Sequence, residues 1–191
     1  MTITSTNQTN NKKNLKLHLG CGDVKIPGYI NVDSRSTEST DLVHDITNLD
    51  IFEKETVDEI YACHVLEHFG RFDVKDILLS WNKIMKKNAT LKIAVPDFES
   101  IVDVYKKTND IKLIEGPVIG GQTYENNFHY NIFDFKKLKH LLEDCGFSKI
   151  EKYNWRQTDH ANIDDYSQAY IPHMQKETGT LISLNIKCLK K

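Results

Sequence analysis

The 191-residue chain carries 25 lysines and arginines against 27 aspartates and glutamates, a formal net charge of −2. Hydrophobic residues make up 39% and charged residues 27%, which excludes a disordered or fibrous chain and allows one domain with a substantial core. The charge balance lacks the strongly basic face of a nucleic-acid binder, and no stretch approaches the roughly 20 apolar residues that a membrane-spanning helix needs.

Residues 1–14 are polar and carry no apolar leader, so they read as a disordered tail, and residues 15–191 read as a single domain. Leu15 to Leu19 alternate as a short strand that stops at Gly20 and Gly22. Tyr29 to Asp33 form a second strand ending in an acid, and Asp41 to Ile46 a third ending near Asp45. A fourth, Val57 to Cys63, runs directly into "HVLEHF". Val74, Ile77, Leu78, Trp81, Ile84 and Met85 then recur at helical spacing behind Asp73, a suitable N-cap. Thr90 to Val95 make a fifth strand stopped by Pro96. Asp97 opens a second helix with Phe98, Ile101, Val102 and Tyr105 on one side. Asp134 caps a third helix carrying Phe135, Leu138, Leu141, Leu142 and Cys145, and Gly146 ends it where a left-handed residue is wanted.

Two last strands, in "FSKIEKYNW" and "TLISLNIKCL", have no helix between them and are expected to pair antiparallel at the sheet edge. Strands alternating with helices predict an α/β fold: a Rossmann-like, seven-stranded, mostly parallel sheet with an antiparallel last strand and helices on both faces. Ligands of such sheets bind beyond the carboxyl ends of the strands, at the switch point in strand order. Gly20, Gly22, Asp33, Asp45, His64 and Asp97 all fall at such ends. Glycine there permits a tight turn and close ligand approach, or merely an ordinary turn. A carboxylate at Asp33 can accept from a ribose diol, or be a solvated turn residue. Asp45 can accept from an adenine amine with Ile46 against the ring, or cap a helix. The four cysteines (Cys21, Cys63, Cys145, Cys188) form no C-x-x-C pair, so reduced thiols in a cytoplasmic protein are expected.

In that order, "LHLGCGDVKIPGYINVD", "DLVHDI", "DEIYACHVLEHF" and "LKIAVPDF" resemble the successive motifs of class I S-adenosylmethionine-dependent methyltransferases. The likeness is greatest to a compact bacterial subgroup associated with surface-polysaccharide genes. It resumes more weakly in "FHYNIFDFKKLKHLLEDCGF" and "SLNIKCLKK". The resemblance implies S-adenosylmethionine as cofactor, with Leu19, Gly20, Cys21 and Gly22 passing under its methionine part. It further implies that Asp33 holds the ribose, Asp45 and Ile46 the adenine, and that Cys63 and His64 lie beside the sulfonium end. The chain departs from the superfamily between Gly22 and Asp33, where there is room for a single turn near Asp23 to Ile26 and not for a full helix.

His64, Glu67 and His68 also match H-x-x-E-H, the inverted zinc-peptidase pattern. That pattern needs both histidines on one helix and a third ligand from another. Here His64 follows a strand directly and no later acidic pair stands out, so no residue is assigned to a metal. Methyl transfer needs an acceptor aligned in line with the methyl group and, for a hydroxyl or amine, a base within reach. His64, His68, Asp97 and His129 are the candidate bases, Asp97 with a competing role as N-cap. Residues 119–134 read as an acceptor lid with a glycine hinge at Gly120 and Gly121 and aromatic faces at Tyr124, Phe128 and Tyr130, or as a surface loop pinned by those aromatics. Glu67, Tyr124 and Tyr130 are the expected acceptor contacts. His160, Asp164 and Asp165, in a second long connection, either touch the acceptor or are solvated. The expected acceptor is a small polar molecule, a sugar or nucleotide sugar. The alternatives are a non-catalytic S-adenosylmethionine-binding subunit and a zinc hydrolase. The sequence sets no oligomeric state.

Overall fold

The computed structural model describes residues 14–191, so the tail expected over residues 1–14 lies, Asn14 apart, outside the described residues. In chain order the elements are β1 (Lys16–Leu19), β2 (Ile30–Asp33), β3 (Leu42–Val43), β4 (Val57–Cys63), α1 (Val74–Ile84), β5 (Met85–Pro96), α2 (Phe98–Thr108), α3 (Glu115–Ile119), α4 (Phe135–Asp144), β6 (Phe147–Lys152), β7 (Tyr170–Ile171), β8 (Thr180–Leu181) and β9 (Ser183–Lys190). Seven strands form one sheet in the order β3-β2-β1-β4-β5-β9-β6, while β7 and β8 make a separate antiparallel hairpin. The first five strands run parallel, and β9 is antiparallel to both β5 and β6.

The last strand is antiparallel, as expected, but it lies inside the sheet and leaves β6 at the edge. Burial explains the order. β9 is buried along most of its length, whereas β6 is fully buried at Phe147 alone and carries Lys149, Glu151 and Lys152, the charged dress of an edge strand. Order reverses at β1, which pairs with β2 on one side and β4 on the other, so the crevice expected of such sheets opens above the carboxyl ends of β1 and β4.

Strand alternation separates two very different faces. Leu17, Leu19, Val32, Ile60, Ala62, Leu91, Ile93, Leu184 and Ile186 point to one, where Val74, Ile77, Leu78 and Trp81 of α1 and Leu138 and Leu142 of α4 complete the main core. Trp81 is fully buried, and its indole N–H donates to the Ile46 carbonyl at 2.8 Å. On the other face the alternate residues include His18, Asn31, Glu59, Ser183 and Asn185, all buried. Irregular chain covers much of that face. Asp165 accepts from the Tyr61 hydroxyl at 2.6 Å, Asn185 donates to the Ser167 carbonyl at 2.9 Å, and the His160 ring lies 4.6 Å from that of Tyr61. A covering segment without regular structure brings peptide groups that need partners, and the polar side chains of this face supply some of them. His160 and Asp165 thus help close the sheet, while Asp164 pairs with Lys176 at 2.9 Å in solvent.

Local differences from expectation have local causes. Met85 leaves the helix and starts β5, where it pairs with Val57 and is fully buried. Asp73 sits at the α1 start without a side-chain capping bond. The buried face of α2 is Ile101 and Val104 and not Val102 and Tyr105, because α2 packs on Ile114 and Ile182, away from the main core. The capping bond of α4 does form, Asp134 accepting from the Lys137 amide at 2.7 Å. No helix forms between β1 and β2, in keeping with the short spacing from Gly22 to Asp33.

Gly20 is where the first turn meets the fourth. Its φ is +66°, and a Cβ there would come within 2.4 Å of Val65 Cγ2. Gly20→Ala is therefore expected to destabilise the fold by about 1–3 kcal/mol through overpacking, with further cost from the left-handed backbone. Val65→Ala in the same chain should return part of that loss. A urea double-mutant cycle checks this, and strictly additive losses would contradict the contact.

Burial lowers the pKa of both His18 and His160 below the ordinary imidazole range. The unfolded chain then binds protons that the folded chain does not, so stability should fall as pH drops below about 6.5. His160→Phe removes one of the two groups and is expected to flatten the acid limb of a urea midpoint-versus-pH profile. An unchanged slope would contradict this.

Candidate functional site

The carboxyl ends of β1 and β2 are tied into one unit. The Cys21 amide donates to the Val32 carbonyl at 3.1 Å, and the Gly22 amide donates to Asp33 Oδ2 at 2.7 Å. The Arg35 amide donates to Asp33 Oδ1 at 2.8 Å, with its guanidinium Nε 3.5 Å from the same oxygen. Asp33 is thus buried, aimed and charge-balanced, and each carboxylate oxygen retains acceptor capacity beyond these bonds. Gly22 also has a left-handed backbone (φ +55°), and a Cβ on it would meet nothing nearer than Arg35 Nη2 at 3.4 Å. Leu19 and Cys21 are buried beneath the turn, and burial pushes the Cys21 thiol up.

Asp45 is exposed, its Oδ1 accepting from the Thr47 amide at 2.9 Å in a side-chain turn, which leaves its second oxygen to solvent. Ile46 joins the main core at 7% exposure, so it has little surface to lay against a ring.

At the end of β4, Cys63 is buried and its thiol is held well above the ordinary range by that burial. His64 takes a left-handed backbone (φ +53°) while its amide donates to the Ala94 carbonyl at 2.8 Å. Its Nε2 lies 3.1 Å from Ser183 Oγ and its Nδ1 3.2 Å from Glu67 Oε1. Only Leu66–His68 are helical, in a single 3-10 turn, so His64 and His68 do not share an α-helical face and the zinc-peptidase geometry is not formed.

Glu67 has no solvent exposure. The His64 contact is off the hydrogen-bonding axis, and neither carboxylate oxygen has a hydrogen-bond partner among the described residues. Burial works against its ionisation, but the charges of His64 and His68 more than offset this and keep its pKa below the usual carboxylate range. Its carbonyl accepts the amides of Tyr130 (2.8 Å) and Asn131 (3.2 Å), which fastens the 119–134 loop to this turn. Through that connection the His129 ring stands edge-on to His68 at 4.9 Å. His68 Nδ1 is 3.1 Å from the Phe128 carbonyl and His129 Nδ1 is 3.1 Å from the Pro117 carbonyl. Burial lowers the His129 pKa, partly opposed by the Glu67 charge.

The loop is pinned by its own backbone. Gly120 (φ +83°) would place a Cβ 2.5 Å from the Asn127 carbonyl, the Gln122 amide donates to that carbonyl at 2.8 Å, and the His129 amide donates to the Ile119 carbonyl at 3.1 Å. Glycine is needed at 120 for this close approach. At the tip, the half-exposed ring of Tyr124 lies 5.1 Å from the Arg35 guanidinium, so the loop reaches from the Glu67 turn to the Asp33 end. Tyr130 is 63% exposed beside Phe128. Asp97 sits at the start of α2 without capping it. Its Oδ2 accepts from the Ser100 hydroxyl at 3.1 Å, while Oδ1 is buried with no partner among the described residues.

Two contributors are absent from the sequence reading. Arg35, two residues after Asp33, reveals itself only through its position over the turn. Ser183 comes from the last strand, whose place beside β5 the sequence order does not disclose.

No family model matches the chain, and no curated protein sequence matches it. Solved structures do. A SAM-dependent methyltransferase from Archaeoglobus fulgidus is 15% identical with a TM-score of 0.56 over 93% of this chain and 86% of that one. A SAM-dependent methyltransferase from Methanosarcina mazei is 17% identical with a TM-score of 0.55, covering 95% and 94%. The 1,6-didemethyltoxoflavin-N1-methyltransferase of Burkholderia thailandensis, solved with 1,6-didemethyltoxoflavin and S-adenosylhomocysteine, is 11% identical with a TM-score of 0.55, covering 93% and 71%. At these identities the likeness is one of fold: the chain has the fold of the S-adenosylmethionine-dependent methyltransferases.

Proposed function

We propose that this chain binds S-adenosylmethionine and transfers its methyl group to a hydroxyl or amine of a small polar acceptor, a sugar or nucleotide sugar. The observation that carries the reading is Asp33. It is a buried carboxylate at the switch point, aligned by the Gly22 amide and by Arg35, beside a glycine turn with left-handed backbone at Gly20 and Gly22. These residues suit the cofactor: Leu19 to Gly22 beneath its methionine part, Asp33 at the ribose diol, the free oxygen of Asp45 at the adenine amine, and Cys63 and His64 toward the sulfur. The bound cofactor supplies an electrophilic methyl and a neutral leaving group.

The chain's own residues then orient the acceptor and handle its proton. In this reading Tyr124 and Tyr130 of the 119–134 loop contact the acceptor together with Glu67. His68, His129 and Asp97 stand as bases around it, and the unpartnered Asp97 Oδ1 favours that residue's catalytic role over its capping one. The polar rims of Tyr124 and Tyr130 suit a hydroxylated ring, which is the ground for a sugar. The alternative is cofactor binding without transfer, and turnover decides between them.

Calorimetric titration with S-adenosylhomocysteine is expected to show one site per chain. Asp33→Ala should weaken it at least about tenfold, given the roughly 1.5–3 kcal/mol carried by hydrogen bonds to a charged group. No heat at millimolar ligand, or undiminished affinity in the variant, would contradict the reading. Transfer of labelled methyl to one member of a nucleotide-sugar panel would separate enzyme from binder.

A further inference from the structure

Glu67, His68 and His129 each present a ligand atom, and the three atoms lie within 4.8 Å of one another. Two further features give this cluster the character of a built site. Glu67 is fully buried, and among the described residues neither carboxylate oxygen has a well-aligned hydrogen-bond partner, His64 Nδ1 at 3.2 Å from Oε1 being its nearest polar neighbour; so thinly partnered a buried carboxylate is costly, and a cation completes it. The two imidazoles are also oriented by the backbone. The carbonyls of Phe128 and Pro117 can only accept, so the Nδ1 facing each of them carries a proton, which leaves Nε2 as the ring nitrogen that can ligate an ion. A backbone carbonyl behind the outer ring nitrogen is the support that metal-ligating histidines ordinarily have.

We propose that Glu67, His68 and His129 bind one divalent transition-metal ion through a carboxylate oxygen and two Nε2 atoms. Imidazole and carboxylate together suit zinc, cobalt, iron or manganese, and not calcium or magnesium, which take oxygen ligands. Three protein ligands leave coordination positions open, the mark of a site that takes an exogenous oxygen. His64, 3.2 Å from Glu67 Oε1 and backed by Ser183, orients the carboxylate and is not itself a ligand. The cluster straddles the Glu67 turn and the 119–134 loop, so the ion adds a tie between the two beside the hydrogen bonds of the Glu67 carbonyl.

What the ion does with an acceptor rests on the methyltransferase reading; that it binds does not. A bound hydroxyl loses its proton to water at near-neutral pH because the ion stabilises the alkoxide. An oxygen lone pair then forms the O–CH3 bond as the C–S bond breaks, its electron pair returning to sulfur and leaving the neutral thioether. A bound amine has spent its lone pair on the ion and cannot attack. Of the two acceptor classes, the site therefore selects the hydroxyl.

The full chain, freed of metal by chelation and dialysis, is titrated with Co2+ and Zn2+ by calorimetry and visible absorption. One ion per chain is expected, with Co2+ ligand-field bands that shift on adding azide. His68→Ala, His129→Ala and Glu67→Gln should each lose more than the roughly 10–100-fold in affinity that outer-shell changes cost, and His64→Ala should fall within that range. The partly exposed His129 guards against misfolding as the explanation, and S-adenosylhomocysteine affinity, expected within about twofold of the parent in the His68 and His129 variants, checks the cofactor end. No bound ion, or affinity unchanged in both histidine variants, overturns the site; bands indifferent to azide overturn the open positions. Metal binding that survives when S-adenosylhomocysteine fails to bind supports the site and counts against the methyltransferase reading alone.

Discussion

A carboxylate with no access to solvent sits where β4 leaves the sheet, and the architecture above the crevice is arranged around it. Glu67 is held against His64 by charge, and its carbonyl accepts two amides from the 119–134 loop. That pairing brings His129 to His68 and carries Tyr124 across to Arg35. Arg35 in turn faces Asp33, which receives the Gly22 amide. One continuous series of contacts thus links the two halves of the crevice, from the expected acceptor end to the expected ribose end. A change at Glu67 acts on the loop, the histidine pair and the cover of the first turn together.

The second constraint is the unequal treatment of the two sheet faces. The helical face is apolar and packs by volume, so each residue of α1 and α4 that touches it can be read from spacing. The opposite face carries His18, Asn31, Glu59, Ser183 and Asn185, and much of its cover is irregular chain. Missing helices between β1, β2 and β3 leave this face to be closed by the distant connection ahead of β7, and polar side chains serve the covering backbone. The same economy shortens the first turn, which is why Gly20 must come so close to Val65.

These two constraints explain what could be read in advance. The strands, their ends and the order of glycine turn and acids were legible because local alternation and turn residues mark them directly. The capping Asp134 and the terminating Gly146 were legible for the same reason. The insertion of β9 between β5 and β6 was not, because pairing partners are chosen by burial on both edges of a strand, which spacing does not encode. The true geometry of "HVLEH" was also hidden: a left-handed His64 and a 3-10 turn break the helical spacing that the string suggests. His129 could be listed as a base but not placed, since its position depends on loop amides bonding to a single carbonyl sixty residues earlier. His160 and Asp165 were ambiguous for a related reason, as covering a sheet and contacting a ligand ask for the same polar side chains.

The most direct test of this account is a crystal structure of the chain grown with S-adenosylhomocysteine. The account predicts the ligand above Gly20 to Gly22, with both ribose hydroxyls donating to Asp33, the adenine amine near Asp45 and the sulfur facing the crevice beneath the 119–134 loop. A ligand seated elsewhere, or an Asp33 carboxylate that keeps only its Gly22 and Arg35 partners when the ligand is bound, would contradict it.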